Sequence, residues 1–535
     1  LDIGDVIWQR QVCTYMSFIL QLKKMNMFIK NSSFFDKLKN KKIILCVNVK
    51  GYFRELEQKY HVLNRVAFVV DNYDRKQGYT ECEEYRFPVY SFDYLNNINI
   101  DNYLILITSE YYEEVYRQVE GMFPDHINTT IYYYADARIH YYNYYRNLFK
   151  NKPLENKIIF CSGARKAYNI ESGEFDDNSL ALFEYMLENK LNTTYQLVWV
   201  VLNPEKYKQK YSKYENVSFL PYRWSESKDI NERRTYYVNI CLAKYFFFTQ
   251  ATDIATHRRE GQIRVQLWHG QGIKSRALFT HDEYRYEYMT VMSEKYGDMH
   301  AEIFGLRKDQ ILVTGNPKQD WLYHPFDKGI FEVLEIPKAD KYVFWLPTMR
   351  DSKAESFGDK TIYSDTGLTI LESKQQLDRI NKLLNGWNMV LIIKQHPFEK
   401  YDLRVANLYS NIVVLNNDML SNRNININQL LGYADALISD YSSAAIDYML
   451  LDRPIAFAIP DLDVYKSSRK LHFDNLDEWL PGIQITTESQ FCDFIKEVRD
   501  GVDSGKKLRQ NAFNKLGKWR DDNNCKRVLE ALHII

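Results

Sequence analysis

The sequence predicts an α/β protein built from three successive parallel sheets. Short apolar runs that fit buried strands alternate with helix-forming segments along most of the 535 residues. Such alternation is typical of parallel strands that are connected by helices. A polar, tyrosine-rich segment at Tyr132–Lys152 and a crossover-like segment from Pro325 to about Glu335 interrupt the pattern. The chain is also too long for one hydrophobic core, so we expect about three domains.

The first domain, predicted over residues 1–150, is a helix of about 35 residues followed by a small degenerate Rossmann-like module. Its predicted elements are strands at Ile43–Val49, Val66–Val70 and Leu104–Thr108 and helices at Tyr52–Tyr60 and from Tyr111. Asp71 ends the second strand, where a dinucleotide fold would hold a ribose. The first turn holds a single glycine, Gly51, so the pyrophosphate of a dinucleotide would not reach the backbone. We therefore expect a structural or protein-binding role.

The second and third domains, predicted over residues 151–325 and 326–535, each repeat the strand–helix pattern. In the second we predict strands at Ile158–Cys161, Leu197–Leu202, Val217–Leu220, Tyr245–Thr249, Val265–Trp268 and Ile311–Val313, and a helix at Asn178–Glu188. In the third we predict strands at Tyr342–Leu346, Met389–Ile393, Ile412–Leu415, Ala436–Ile438 and Ile455–Ala458. The tyrosine-rich segment is predicted to be a connector.

Composition excludes several classes of protein. Hydrophobic residues make up 45% and charged residues 26%, which is ordinary for a globular protein. Lysine plus arginine equals aspartate plus glutamate at 70 each, so no overall field favours nucleic acid. Seven scattered cysteines form no C-x-x-C pair, which gives no zinc or redox signature and favours a reducing, cytoplasmic setting.

The start of the chain leaves two alternatives open. No signal peptide is visible and the first residue is not Met, so the sequence is consistent with a piece of a longer protein. The apolar stretch Val12–Leu22 is too short to span a bilayer. It fits an amphipathic helix that packs on the next domain, which we favour, or one that contacts a membrane surface.

Two histidines follow apolar strands. His269 comes after Val265–Trp268 and before Gly270, which leaves its imidazole unshielded. Neutral imidazole can accept a proton near pH 7, but a histidine here can equally be hydrogen-bonded in the core. On the residues alone both interpretations stay open. His396 follows Val390–Ile393 and Lys394, and it could donate to a phosphate or to a leaving nucleotide.

Phosphate-binding groups are predicted in two further loops. Arg350, which follows Thr348 after a strand, offers a planar fork for phosphate, although a salt bridge with Asp351 competes. Ser442 and Ser443 are predicted in the first turn of a helix over Ala444–Leu451, where unpaired amides favour an anion. The alternative is plain N-capping by Asp440 or Ser442. Asp447, on the same helix, would bind an acceptor hydroxyl or orient the loop.

Several motifs together resemble a known family. They are Trp268-His269-Gly270, Thr314-Gly315-Asn316-Pro317-Lys318-Gln319-Asp320, Pro347-Thr348-Met349-Arg350-Asp351, Lys394-Gln395-His396-Pro397 and Ser439-Asp440-Tyr441-Ser442-Ser443. Their order and spacing resemble the CDP-glycerol glycerophosphotransferases, the teichoic-acid and capsule polymerases. The resemblance runs from about Asp177 to Gly482 and leaves the first 150 residues uncovered. It implies two Rossmann-like halves of the GT-B type, preceded by the degenerate module.

The resemblance also implies roles for residues. It favours His269 as general base, with His396 as a second catalytic residue. The implied donor- and phosphate-binding residues are Arg350, Ser442, Ser443, Thr348, Asp440, Gly315, Asn316 and Lys394. Asp447 and Arg469 are candidates for acceptor binding or for orienting the loop. No cofactor or metal is expected, since the letters Asp461-Leu462-Asp463 fall in a loop after Pro460 and positive groups could replace a cation.

The expected function is the transfer of glycerol phosphate, or a related polyol phosphate, from a CDP-activated donor to a growing teichoic-acid-like or capsule polymer, with release of CMP. The expected partners are the donor and a polymer or lipid-linked acceptor, at the inner face of the cell membrane. A GT-B glycosyltransferase that uses a nucleotide sugar is one alternative, and a non-catalytic scaffold for capsule assembly is another. The choice of glycerol or ribitol, the acceptor and the oligomeric state stay open.

Overall fold

The architecture comes from a computed structural model. It describes residues 40–47, 53, 56–57, 60–72, 77–82, 84–108, 112–124, 131–133, 137–162, 174–250, 254, 258–272, 286–327, 329–347, 365–394, 408–421, 423, 425–463, 465, 473 and 475–535. The chain divides into two compact units. The small unit contains residues 1–153, 223–242 and 254–260, and the large unit contains residues 154–222, 243–253 and 261–535.

The strands and helices alternate along the described parts of the chain. The strands are β1 (Lys42–Cys46), β2 (Val66–Val70), β3 (Gly78–Cys82), β4 (Tyr85–Tyr90), β5 (Tyr103–Ile107), β6 (Ile131–Tyr133), β7 (Glu155–Cys161), β8 (Gln196–Val201), β9 (Val217–Pro221), β10 (Ala243–Phe248), β11 (Ile263–Gln266), β12 (Tyr288–Val291), β13 (Ile311–Val313), β14 (Lys341–Leu346), β15 (Met389–Lys394), β16 (Ile412–Leu415), β17 (Ala436–Ser439), β18 (Ile455–Ala458) and β19 (Ile483–Ile485). The α-helices are α1 (Tyr112–Met122), α2 (Ala137–Phe149), α3 (Asp177–Glu188), α4 (Glu205–Tyr211), α5 (Ile230–Leu242), α6 (Glu294–Phe304), α7 (Gly329–Val333), α8 (Lys374–Gly386), α9 (Asn417–Ser421), α10 (Ile427–Leu431), α11 (Ala444–Tyr448), α12 (Glu488–Asp500), α13 (Lys506–Leu516) and α14 (Asn524–Ala531).

The small unit is built around a six-stranded sheet of order β3-β4-β2-β1-β5-β6. Its strands are parallel except for β3, which runs antiparallel to β4. The apolar runs of β1 and β5 are almost fully buried, as their continuous hydrophobic sequence predicts. Asp71, directly after β2, is also buried, and its main-chain N–H donates to Tyr90 O at 2.9 Å. The turn with Gly51 lies outside the described residues.

The predicted connector at Tyr132–Lys152 is wrong. This segment contains the end of β6 and the helix α2. The tyrosines of α2 are not a polar linker surface, because Tyr142 and Tyr145 are buried and the Tyr145 ring stacks on Tyr237 of α5, 5.0 Å between ring centroids. Tyrosine's ring supplies buried apolar area while its hydroxyl keeps the sequence looking polar, so composition misled the prediction.

The first half of the large unit carries a seven-stranded sheet of order β13-β12-β11-β10-β7-β8-β9. All neighbouring strands in it are parallel. Its core includes Phe160, Trp199 and Phe247, whose side chains are fully buried. The second half carries a six-stranded parallel sheet of order β16-β15-β14-β17-β18-β19. The predicted α/β class with Rossmann-like parallel sheets is therefore confirmed.

The last helix, α14, packs with the first half of the large unit, although it follows the second half in the sequence. Val528 and Leu529 are fully buried in the same core as Trp199. Asp320 fixes the start of this helix, because its two carboxylate oxygens accept from the main-chain N–H groups of Asn524 and Cys525 at 2.9 and 2.8 Å. The chain thus crosses back to the first half, which its sequence order did not predict.

Two further predictions concern the cysteines and contact with a membrane. Cys46 and Cys161 are buried in strands, as expected for thiols in apolar runs. Within the described ranges, no helix has the length and apolar character needed to cross a bilayer. The stretch Val12–Leu22 lies outside the described residues.

Candidate active site

His269 lies beyond the carboxyl end of β11 in the first half of the large unit. The strand ends at Gln266 rather than at Trp268 as predicted, because Trp268 takes a left-handed φ of 57° and turns the chain out of the sheet. Gly270 follows with φ of 139°, a backbone conformation that glycine tolerates best. The imidazole is partly exposed and its centroid lies 4.2 Å from the Trp268 ring. This edge position agrees with the predicted place of the residue.

Two side chains hold the main chain around His269. The Nδ2 atom of Asn178, at the start of α3, donates to Trp268 O at 2.7 Å. The Nζ atom of Lys318 donates to His269 O at 2.8 Å. Both side chains are buried, so these bonds are shielded from water.

The loop after His269 contacts the second half of the large unit. A Cβ atom on Gly270 would lie 2.5 Å from Ser443 Oγ and 3.1 Å from Ser443 Cβ. A side chain at position 270 would therefore displace Ser443. The residue after the predicted base therefore lies beside one predicted phosphate-binding residue.

Ser442 and Ser443 lie just before α11 and not within it. The helix begins at Ala444, with Ser443 at its N-cap position, and ends at Tyr448, where a short 3₁₀ helix over Met449–Leu451 takes over. Ser442 Oγ accepts from the main-chain N–H of Ala444 at 3.3 Å, so the capping alternative applies to this residue. Asp440 is buried before them, after the end of β17.

Asp447 points from α11 into the first half. Its Oδ1 atom accepts from Gln319 Nε2 at 2.7 Å, and its Oδ2 atom lies 3.9 Å from Lys318 Nζ. The side chain is 2% exposed. Of the two predicted roles, the geometry supports orienting neighbouring groups.

Three carboxylates share the ammonium group of Lys318. Lys318 Nζ lies 3.1 Å from Asp177 Oδ1, and Asp176 adds a weaker attraction. Burial alone would lower the pKa of Lys318, but Asp177 and Asp447 outweigh it and raise that pKa, so the lysine stays charged. Burial raises the pKa of Asp177 to about 6, and the neighbouring Asp176 adds to the rise, although Lys318 opposes it. Burial likewise raises the pKa of Asp447 against Lys318 and Gln319.

Lys394, at the end of β15, is a further buried lysine, and it interacts with the carboxylate of Asp176. Burial lowers its pKa to about 8, and the carboxylate of Asp176 partly opposes this. Asp176 in turn accepts from Asn426 Nδ2, a residue of the second half. A buried lysine at a strand end is compatible with the predicted contact with a donor phosphate, which stays a prediction.

The contacts of Gly315 and Asn316 within the protein account for these two residue types without a bound CDP donor. Gly315 has φ of 80°, and a Cβ atom there would lie 1.8 Å from Asn524 Oδ1, so only glycine fits beside α14. The main-chain N–H of Asn316 donates to Gln319 Oε1 at 3.0 Å at the start of a 3₁₀ helix over Pro317–Leu322. Their predicted role in donor binding stays a prediction.

Thr348, Arg350, His396 and Arg469 lie outside the described residues. The strand before Thr348 and Arg350, β14, and the strand before His396, β15, are described. Leu346 of β14 pairs with Ser439 of β17, and Trp345 pairs with Ile393 of β15. The carboxyl ends of β14, β15 and β17 therefore share one edge of the sheet. Ser442 and Ser443 follow β17 in the sequence.

The sequence predicts no role for three side chains that the structure places around His269 or at the contact between the halves. Lys318 and Gln319 stand in one of the motifs that carry the resemblance, and Asn178 begins a predicted helix. The sequence signal for Lys318 and Gln319 is their place directly after Pro317 in that motif. The contacts of all three around His269 and with Asp447 are with residues 49 to 140 positions away, which no local pattern could reveal.

No metal centre is evident in the described ranges, where no group of three or more His, Cys, Asp or Glu side chains could hold an ion. Asp461, part of the Asp-Leu-Asp letters, accepts instead from the Tyr441 hydroxyl at 3.2 Å. The expectation that no metal is needed stays a prediction.

Comparison with known proteins identifies relatives along most of the chain. A teichoic acid poly(ribitol-phosphate) polymerase of Bacillus spizizenii is 25% identical over 393 residues, which are 70% of this chain and 54% of that protein. A teichoic acid poly(glycerol phosphate) polymerase of Staphylococcus epidermidis is 25% identical over 61% of this chain and 43% of its own length. The chain thus spans about half the length of these two relatives.

Two further matches cover nearly the whole of the other protein. A teichoic acid glycerol-phosphate transferase of Staphylococcus aureus is 22% identical over 72% of this chain and 95% of its length. The structure of the wall teichoic acid polymerase TagF superposes with a TM-score of 0.55 at 18% identity, over 79% of this chain and 97% of that one, which shows a shared fold. The model of one family, CDP-glycerol:poly(glycerophosphate) glycerophosphotransferase, matches residues 144–534. Since this match covers well over half of the sequence, the chain belongs to that family.

Proposed function

We propose that the protein transfers glycerol phosphate, or a related polyol phosphate, from a CDP-activated donor to the end of a growing teichoic-acid-like or capsule polymer, and releases CMP. The observation that carries the proposal is the position of His269 beyond the carboxyl edge of β11, directly before Gly270, which lies against Ser443 of the second half, in a chain of this family. A proton acceptor in the first half then stands one residue from the place where the chain meets a serine at a helix start of the second half.

In the proposed reaction, a terminal hydroxyl of the acceptor attacks the β-phosphorus of the donor. The new bond forms between the acceptor oxygen and that phosphorus, and the bond to the bridging oxygen of the diphosphate breaks. The hydroxyl proton goes to the imidazole of His269, and the bridging oxygen leaves with CMP. In such phosphoryl transfer, catalysis rests mainly on positioning and charge stabilisation.

The donor diphosphate would lie at the shared edge of β14, β15 and β17. Ser442, Ser443 and the buried Lys394 supply donors from described residues there. Arg350 and His396 follow β14 and β15 by four and two positions in the sequence, and we assign them to the same diphosphate. Thr348 and Asp440 would support these groups, and Arg469 would contact the acceptor. The edge of neighbouring parallel strands is where such folds bind nucleotides.

The acceptor and cellular setting follow from the same proposal. The acceptor would be a polymer or a lipid-linked primer, and the protein would act at the inner face of the cell membrane. The relatives include both a poly(ribitol-phosphate) and a poly(glycerol phosphate) polymerase, so the polyol has to be found by experiment. No metal is assigned to the step.

The test is a donor screen with the purified protein and a polyol-phosphate primer. CDP-glycerol, CDP-ribitol and UDP-sugars are compared, and the released nucleotide and the extended primer are measured by chromatography and mass spectrometry. CMP release with growth of the primer by polyol phosphate supports the proposal. UDP release with sugar transfer would show the glycosyltransferase alternative, and no turnover with any donor would favour a scaffold. Activity that is lost with EDTA and returns with Mg²⁺ would contradict the metal-free step.

A further inference from the structure

We propose that Lys318 is a positioning residue for His269, acting together with Asn178. Lys318 would not touch the substrate but would fix the main chain from which the imidazole projects. This inference rests on the proposed function for its kinetic consequence. Its structural part concerns the loop alone and can be tested without any donor.

The contacts are specific to the main chain at His269. Lys318 Nζ donates to His269 O at 2.8 Å, and Asn178 Nδ2 donates to Trp268 O at 2.7 Å. The two side chains also support each other, because the main-chain N–H of Lys318 donates to Asn178 Oδ1 at 2.9 Å. Two consecutive carbonyls of one loop are therefore held by one connected pair of side chains.

The backbone of this loop needs such support. Trp268 has φ of 57°, which is unusual for a bulky residue, and Gly270 has φ of 139°. Strained conformations of this kind persist only where the surroundings fix them. Without the two donors, we expect the chain from 268 to 270 to relax and the imidazole to lose its fixed direction.

The charge of Lys318 ties this loop to both halves of the large unit. Its ammonium group lies 3.1 Å from Asp177 of the first half and 3.9 Å from Asp447 of the second. The lysine side chain is only 10% exposed, so neither attraction is strongly screened by water. Lys318 thus sets the position of His269 relative to the helix α11 that begins beside Ser443.

The first experiment measures amide hydrogen exchange in the peptide that covers residues 263–272. In Lys318→Met, which keeps length but removes the donor, exchange at 268–271 should be faster by about tenfold, because the local opening becomes easier. The matched control is Lys308→Met, since Lys308 is exposed and pairs with Asp298 on the surface, 3.4 Å away. Unchanged exchange in Lys318→Met would overturn the proposal, whether or not the protein turns over any donor.

The second experiment uses the active enzyme and a double-mutant cycle. We expect Lys318→Met to lower kcat roughly 10- to 100-fold, as small misplacements of reacting groups do, with KM for the CDP donor within about threefold. In the background of His269→Ala, the same change should have almost no further effect, because both act on one group. Equal effects in both backgrounds would show that Lys318 acts independently of His269.

A second variant keeps the test decisive if Lys318→Met does not fold. Asn178→Ser removes the donor to Trp268 O and should give the same faster exchange and the same loss of kcat. If Lys318→Met does not fold, this variant decides the outcome. Failure of both variants to fold would assign these contacts to the fold as a whole and would equally overturn the proposal. If the parent protein releases no CMP while exchange changes as expected, the proposed function fails and the positioning contact stands.

Discussion

Gln319 donates from its Nε2 atom to the Oδ1 atom of Asp447 at 2.7 Å, across 128 positions of the sequence. Both side chains are buried, and they belong to different halves of the large unit. Lys318, the residue before Gln319, lies near the other oxygen of the same carboxylate. The motif from Thr314 to Asp320 therefore links the two halves through Gln319 and fixes α14 through Asp320, which explains why so many of its residues are buried.

Gln319→Leu should destabilise the protein by about 1–3 kcal/mol, because a buried carboxylate of Asp447 loses its hydrogen-bond donor. The free energy of unfolding is measured by urea denaturation. Gln209→Leu is the matched control, since Gln209 lies exposed on α4. Equal stability of the two variants would mean that the bond contributes nothing to holding the halves together.

His269→Ala should lower kcat by about 100-fold or more, which is the usual effect of losing a general base. The affinity for the CDP donor, measured by titration calorimetry, should stay nearly constant because the imidazole acts on the acceptor proton. His324→Ala serves as control, since its exposed ring pairs with Asp522 on the surface. Turnover within a few-fold of the parent would rule out His269 as the base.

Ser442→Ala and Arg350→Ala should each weaken donor binding by about tenfold, because each removes a donor to a charged diphosphate. Calorimetry with CDP-glycerol checks this. Ser504→Ala provides the comparison, as its exposed hydroxyl donates to Glu497 instead. Donor affinities equal to the parent in both Ser442→Ala and Arg350→Ala would place the phosphate site elsewhere.

The sequence predicted what depends on local pattern. The buried strands β7, β14 and β15 each contain a continuous apolar run, and they form at or within a few residues of the predicted places. Short strands such as β3, β6 and β19 were missed, because three to five residues of mixed polarity look like loop. Their hydrogen bonds depend on neighbours that the sequence does not identify.

The candidate site was predicted only in part for a related reason. His269 and Ser443 could be chosen because each follows a recognisable strand, and the structure places Gly270, the residue after His269, beside Ser443. Lys318 and Asn178 carry no such mark, since a buried lysine becomes favourable only when Asp177 and Asp447 reach it from elsewhere in the chain. Long-range charge pairing of this kind is a property of the fold and not of any segment.

Gly315→Ala should destabilise the protein by more than the roughly 1–3 kcal/mol that positive φ alone costs. The added Cβ atom would lie 1.8 Å from the buried Asn524 side chain. Gly501→Ala is a matched control, because Gly501 also has positive φ, 69°, but nothing lies within 4 Å of its Cβ position. Thermal unfolding compares the two. A variant at 315 that stays as stable as the Gly501 variant but loses donor affinity would support the predicted donor-binding role of Gly315.

The carboxyl group of Asp177 should make stability depend on pH between about 4 and 6. Burial raises its pKa to about 6, although Lys318 attracts the charged form. An unfolded aspartate titrates near 3.9, so in this window the folded state keeps a proton that the unfolded state has lost. Unfolding then releases a proton, and the contribution of Asp177 to the free energy of unfolding falls as pH rises through this range.

Asp177→Asn removes this dependence. The free energy of unfolding of the variant minus that of the parent should therefore increase by roughly 2–3 kcal/mol from pH 4 to pH 6.5. Urea denaturation at several pH values measures the difference. Asp298→Asn controls for general charge effects, because Asp298 is 66% exposed and pairs with Lys308 on the surface. A difference that stays flat across this range, or falls as pH rises, would show that Lys318 compensates the partly buried carboxylate fully and that Asp177 is charged throughout.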